Sequence, residues 1–162
     1  MGPVHGLPLI KEALVSDSRF EEKVVDDRLR WRGKLFEART LDVELPDGSS
    51  GYREIVRHHG GAGVVVLDDD GRICLVRQYR VALGRTTLEI PAGKLEPGED
   101  GASCAARELA EETGLLADRL EPLVRVLGSP GFTDEHTEVF LARDLRQGDA
   151  SPDEGELVSS IW

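Results

Sequence analysis

Gly93–Leu115 reads GKLEPGEDGASCAARELAEETGL. It holds Glu99, then Arg107-Glu108, then Glu111-Glu112, and closes on Gly114. Pro97-Gly98 is a turn signal, and Asp100 or Ser103 can cap the orphan N–H groups of a following helix. Ala102, Ala105, Ala106, Leu109 and Ala110 favour that helix. Gly114 suits the left-handed position that ends it. At 3.6 residues per turn, Glu108, Glu111 and Glu112 share one face. Ala102, Ala105, Ala106 and Leu109 form another, small and apolar, suited to close packing on a sheet. Like charges at i,i+4, as at Glu108 and Glu112, cost about 0.2–0.5 kcal/mol in a bare helix. Arg107 relieves part of this through Glu111 and can reach back to Glu99. A cation between the carboxylates would relieve more. Hard divalent ions select oxygen ligands, and Mg²⁺ is commonly held by one or two carboxylates plus substrate phosphates. Taken alone, the three acids favour the plainer reading of a solvated helix face.

The whole spacing carries more. Gly93, five residues, Glu99, seven residues, then Arg107-Glu108-Leu109-Ala110-Glu111-Glu112-Thr113-Gly114-Leu115 resembles the Nudix box at every defining position. The resemblance implies a Nudix hydrolase, which cleaves a nucleoside diphosphate linked to another moiety. It also implies the fold: an α+β domain, a Nudix-type α/β/α sandwich with a mixed β-sheet, plus N-terminal antiparallel strands. Residues 1–56 would be the N-terminal segment and 57–162 the hydrolase domain. Similar proteins continue past the last strand with a covering helix, and the sequence stops at Trp162, so that helix is expected to be missing.

Segments outside the box narrow the resemblance. Tyr52–Val56, Val76–Arg80, Leu88–Gly93, Ser129–Glu135 and Asp153–Glu156 look like the ADP-ribose pyrophosphatase branch. That branch carries a proline about fifteen positions past the box, and Pro130 stands there. The likeness spans residues 29–162. GDP-mannose and other nucleotide-sugar hydrolases are similar in these segments.

The resemblance implies the site. Glu108 and Glu112 would bind or bridge the metals, Glu111 would be a third carboxylate, and the Ala92 carbonyl and Glu156 would be further ligands. The cofactor expected is Mg²⁺, with Mn²⁺ or another divalent ion as alternatives. Glu99 would orient Arg107 rather than touch metal. Glu154 or Glu156, on the loop before the last strand, would be the base for the attacking water. Arg80 would bind a phosphate, although a lone arginine near a strand end equally forms a structural ion pair. Glu135 would hydrogen-bond the terminal ribose, and Glu89 lies near the metal end of the cleft. Phe36 and Arg53 would contact adenine across a homodimer built by exchange of the N-terminal strands. For Phe36, a place in the core is an equal expectation. The alternatives to ADP-ribose hydrolysis are hydrolysis of another nucleotide sugar, such as GDP-mannose, or a non-catalytic domain that binds one. Sensors of that kind usually carry degraded boxes, and this box is whole.

Composition agrees. A chain of 162 residues is one domain by length and buries roughly 70% of its unfolded surface. A net charge of −11 argues against nucleic acid or an anionic membrane as partner. A small nucleoside diphosphate sugar remains possible where metal and a few arginines supply local positive charge. Cys74 and Cys104 suggest neither a disulfide framework nor a zinc site. No apolar run approaches the ~20 residues of a membrane span and no secretory segment opens the chain, so a cytoplasmic protein is expected.

The remaining pattern is mostly strand. Residues 1–27 are weakly patterned, and the strand-like stretch runs from Leu29 to Val56, broken by the turn Pro46–Ser49. Gly60–Gly63 leads into Val64–Leu67, read as a buried strand with close backbone packing. Asp68–Gly71 is a hairpin turn into Ile73–Tyr79. Leu88–Ile90, Leu123–Leu127, Glu138–Ala142 and Leu157–Trp162 complete the expected strands. Strands outnumber helices, so a mixed sheet with the box helix packed on it is the expected architecture.

Overall fold

The computed structural model describes residues 17–151 and 157–162. The chain divides into two compact units. One runs to His58 and takes in Ser129–Glu135; the other holds His59–Gly128 and His136–Trp162.

The first unit is an antiparallel meander of β1 (Lys23–Arg32), β2 (Phe36–Glu44) and β3 (Ser50–His58). The β2–β3 turn forms where Pro46–Ser49 predicts it. Leu45 and Ser49 bond across it at 2.8 Å, and Gly48 takes a positive φ of 81°. β1 begins inside the stretch that shows no clear sequence pattern. Its sequence, KVVDDRLRWR, is rich in charge. Cross-strand ion pairs Arg28–Asp42, Arg39–Asp27 and Arg32–Glu37 hold it to β2. Leu41 and Val43 are the buried apolar residues of this unit among the described residues. The Ser129–Glu135 loop joins it through Phe132, whose carbonyl accepts from Val56 N–H at 2.7 Å. Asp134 accepts from His58 N–H and Arg57.

The second unit holds two sheets. One has the order β7-β4-β9-β8, from β4 (Gly61–Val65), β7 (Ala92–Lys94), β8 (Leu115–Leu127) and β9 (His136–Gln147). β4 and β9 run parallel and the other pairs antiparallel, so this sheet is mixed as expected. The other sheet has the order β10-β5-β6, from β5 (Leu75–Arg80), β6 (Arg85–Glu89) and β10 (Val158–Ile161). Helix α1 (Gly101–Thr113) is the one α-helix among the described residues. It packs on β4, and the core between them gathers Ala62, Val64, Cys104, Ala105, Leu109 and Phe140.

Gly61, Ala62 and Gly63 of the glycine cluster lie inside β4 rather than ahead of it. A Cβ on Gly61 would meet the Gly93 carbonyl at 2.5 Å. The cluster therefore serves the close approach of β4 to β7. β8 and β9 are longer than their apolar centres suggest. Asp118–Arg146, Arg119–Asp144 and Glu121–Arg143 pair across them. Cys74 and Cys104 are buried free thiols.

Candidate active site

The site grows from the two ends of α1. Asp100 is the N-cap, and its Oδ1 accepts from the N–H groups of Ala102 and Ser103, each at 3.0 Å. Gly114, at φ 73°, ends the helix by donating to the Ala110 carbonyl at 2.9 Å. Both termini are thus fixed by the residues expected to fix them.

The helix faces differ from the sequence expectation. Gly101, Cys104, Ala105, Glu108, Leu109 and Glu112 form the buried stripe, while Ala102 and Ala106 are exposed. Glu108 and Glu112 therefore lie on the packing face. The spacing i, i+3, i+4, i+7, i+8, i+11 is one continuous helical stripe. It turns from apolar to acidic at its C-terminal end, where the facing strand offers backbone instead of side chains. Glu112 is only 5% exposed, and its Oε2 accepts from the Ala92 N–H at 2.9 Å. Glu108 is 9% exposed. Its carboxylate lies against Gly93 so closely that a Cβ there would overlap it. Gly93 is the cradle that admits this carboxylate.

Arg107 knits the acids together. Its Nε and Nη2 grip the two oxygens of Glu99 at 3.0 and 3.1 Å. Its Nη1 bridges Glu108 at 2.8 Å and Glu111 at 3.0 Å. The guanidinium is held firmly charged, first by Glu99 and, against the cost of burial, by Glu108 and Glu111. Arg107 in turn draws the Glu99 carboxyl below its usual range. The expected pairing of Glu99 with Arg107 is present. Among the described residues, no three His, Cys, Asp or Glu side chains converge on one ion-sized point. The donor chemistry still suits a hard cation: two buried carboxylates one turn apart, with a third beside them.

A second cluster lies on the β5–β6 hairpin. Arg80 and Glu89 form a two-point ion pair, Nε to Oε1 at 2.9 Å and Nη2 to Oε2 at 2.8 Å. Thr87 Oγ1 donates to the same Oε1. The Glu89 carboxyl is held down to about 2, chiefly by Arg80 and, against some burial cost, by Thr87. The sequence names Arg80 and Glu89 separately; the structure joins them. Thr87 belongs to no motif, and its one sequence signal is its place two residues before Glu89 on the same strand face.

Phe36, Arg53 and Glu135 belong to the first unit. Phe36 is half-buried and packs against Trp31 in a tilted arrangement, ring centroids 4.9 Å apart and planes at 48°. Arg53 pairs with Glu22 and donates to the Tyr52 carbonyl. Glu135 is exposed at the end of its loop. Glu154 and Glu156 lie outside the described residues.

A family model described as the NUDIX domain matches residues 57–162. The chain belongs to the Nudix hydrolase family. This Nudix chain is 46% identical over 125 residues to the "ADP-ribose pyrophosphatase" of Bacillus subtilis, covering 77% of this chain and 68% of that protein. It is 42% identical over 144 residues to the "Methanol dehydrogenase activator" of Bacillus methanolicus, covering 88% and 78%. Among solved structures it resembles one titled "Crystal structure of ADP compounds hydrolase". That match has a TM-score of 0.76 at 26% identity and covers 90% of this chain and 80% of the other. The Nudix box is thus the stretch that builds α1, its caps, and the Arg107–carboxylate network.

Proposed function

We propose that this Nudix hydrolase cleaves the diphosphate of ADP-ribose to AMP and ribose 5-phosphate. The carrying observation is the buried Glu108–Glu112 pair against Ala92 and Gly93. It occurs in a chain whose Bacillus subtilis relative bears the name ADP-ribose pyrophosphatase. Glu108, Glu111, Glu112, the Ala92 carbonyl and Glu156 would hold divalent cations, with Mg²⁺ the first choice and Mn²⁺ the second. A bound divalent ion supplies polarisation of the phosphoryl oxygens and lowers the pKa of the attacking water.

The chain's own residues supply the rest of this reading. Arg80, steadied by Glu89, takes a phosphate oxygen. Glu154 or Glu156 accepts the proton of the water that attacks one phosphorus. The bond from that phosphorus to the bridging oxygen breaks, and the bridge leaves on the other phosphate. One water is consumed and two monophosphates form. Charge on the diphosphate is high, so positioning and neutralisation carry most of the acceleration. Glu135 would bond the terminal ribose, and Phe36 with Arg53 would hold adenine across a homodimer formed through β1–β3. A cytoplasmic location accompanies this small-molecule chemistry. No helix among the described residues is long and apolar enough to cross a membrane.

The name of the structural neighbour, ADP compounds hydrolase, favours a second, broader reading in which other ADP-linked compounds are also cleaved. Steady-state kinetics with Mg²⁺ on ADP-ribose, ADP-glucose, FAD and GDP-mannose separates the two. ADP-ribose should give the highest kcat/KM. Equal kcat/KM across the ADP compounds would favour the broader reading, and no metal-dependent turnover of ADP-ribose would overturn the proposal.

A further inference from the structure

On the β5–β6 hairpin, Val76, Gln78 and Arg80 stand opposite Glu89, Thr87 and Arg85 in register. Arg80 and Arg85 are therefore directly opposed. Like charges in that relation destabilise a sheet. Arg80 extends instead along the hairpin to Glu89, which takes its Nε and Nη2 edge. Thr87 completes the contact by donating to Oε1, the oxygen that also receives Arg80 Nε–H. The same hydroxyl lies 3.2 Å from the Gln78 carbonyl. A hydroxyl has one proton to donate, and an ionised carboxylate is the stronger acceptor. Thr87 is β-branched and stiff at χ1, so its hydroxyl is a fixed point on the strand. Glu89 is thereby pinned at both oxygens. A guanidinium is planar, so a two-point grip on one edge sets the plane of the whole group.

We infer that Thr87 is a positioning residue for phosphate recognition: by fixing Glu89 it fixes the guanidinium of Arg80. The inference rests on the proposed role of Arg80 in binding the substrate diphosphate. Thr87 touches no substrate in this scheme. Without its hydroxyl, Glu89 gains rotamers and Arg80 moves with it. Substrate must then order both side chains, and that cost appears as lost affinity. The contact is made in ground and transition states alike, so KM changes and kcat does not.

The test is steady-state kinetics of the full chain on ADP-ribose with Mg²⁺, each variant first checked by thermal melting. Thr87→Val should raise KM about tenfold, the factor for one charge-assisted hydrogen bond, with kcat kept within about twofold. Thr87→Ser, which keeps the hydroxyl, should restore most of the affinity. Thr87→Val added to Arg80→Ala should raise KM no further, because the two act through one contact. An unchanged KM in Thr87→Val, beside an active wild type and an impaired Arg80→Ala, overturns the positioning role. Additive effects in the double variant overturn it as well. A wild type that does not turn over ADP-ribose overturns the proposed function and this inference with it. The wild-type rate therefore tells the two failures apart.

Discussion

Gly93 and Glu108 are one structural decision made by two residues. The carboxylate occupies the space that any side chain at Gly93 would need. Gly93→Ala should therefore displace Glu108, costing about 1–3 kcal/mol by overpacking and most of the activity. Urea unfolding and kcat measured on the same preparation check both effects. Glu89 gives a second prediction at this scale. Its carboxyl is held at about 2 in the fold against an ordinary 4.5, chiefly by Arg80. A lowered folded pKa means the contribution is complete above the unfolded value and fades as pH falls through the folded one. Wild-type stability should thus drop between pH 4.5 and about 2 by a component that Glu89→Gln lacks. Urea midpoints of both proteins across that range would show parallel curves if the pair contributes nothing.

At the scale of elements, α1 was the most legible part of the sequence. Its caps, its length and the Arg107–Glu111 pair follow from Asp100, Gly114 and the i,i+4 spacing, whereas the Arg107–Glu108 contact was not expected. Asp100→Ala should cost about 1 kcal/mol through loss of two capped N–H groups. An unchanged urea midpoint would contradict that. The orientation of α1 was less legible. Helical periodicity groups residues but does not say which group meets the sheet, and the acidic group does so only because Ala92 and Gly93 present backbone. β1 and the outer parts of β8 and β9 were hidden for a different reason. Their facing side chains include ion pairs such as Arg39–Asp27 and Arg146–Asp118, and charged strands show no apolar alternation. The Arg80–Glu89–Thr87 cluster was hidden because residues nine apart meet only through hairpin register.

For the whole molecule, a net charge of −11 and a polyanionic substrate must be reconciled. Cations bound at the Glu108–Glu112 pair would do so, and they would also stabilise the fold. A ligand at a hundred times its Kd adds about 2.7 kcal/mol, which is several degrees in Tm for a domain of this size. Mg²⁺ or Mn²⁺ should raise the melting temperature of the wild type and raise that of the Glu108→Gln/Glu112→Gln variant much less. Equal shifts in both would remove these residues from the metal site.

In the proposed reaction Glu112, buried at the end of α1, serves metal-dependent cleavage of a diphosphate. The most direct measurement is AMP released from ADP-ribose by the wild type and by Glu112→Gln, each with Mg²⁺ and with chelator. The glutamine can still accept the Ala92 N–H, so the fold should persist. The wild type should release stoichiometric AMP and ribose 5-phosphate with Mg²⁺ and none with chelator, and a folded Glu112→Gln should be slower by about 10² or more. Near-normal turnover by that variant, or turnover indifferent to chelator, would contradict it.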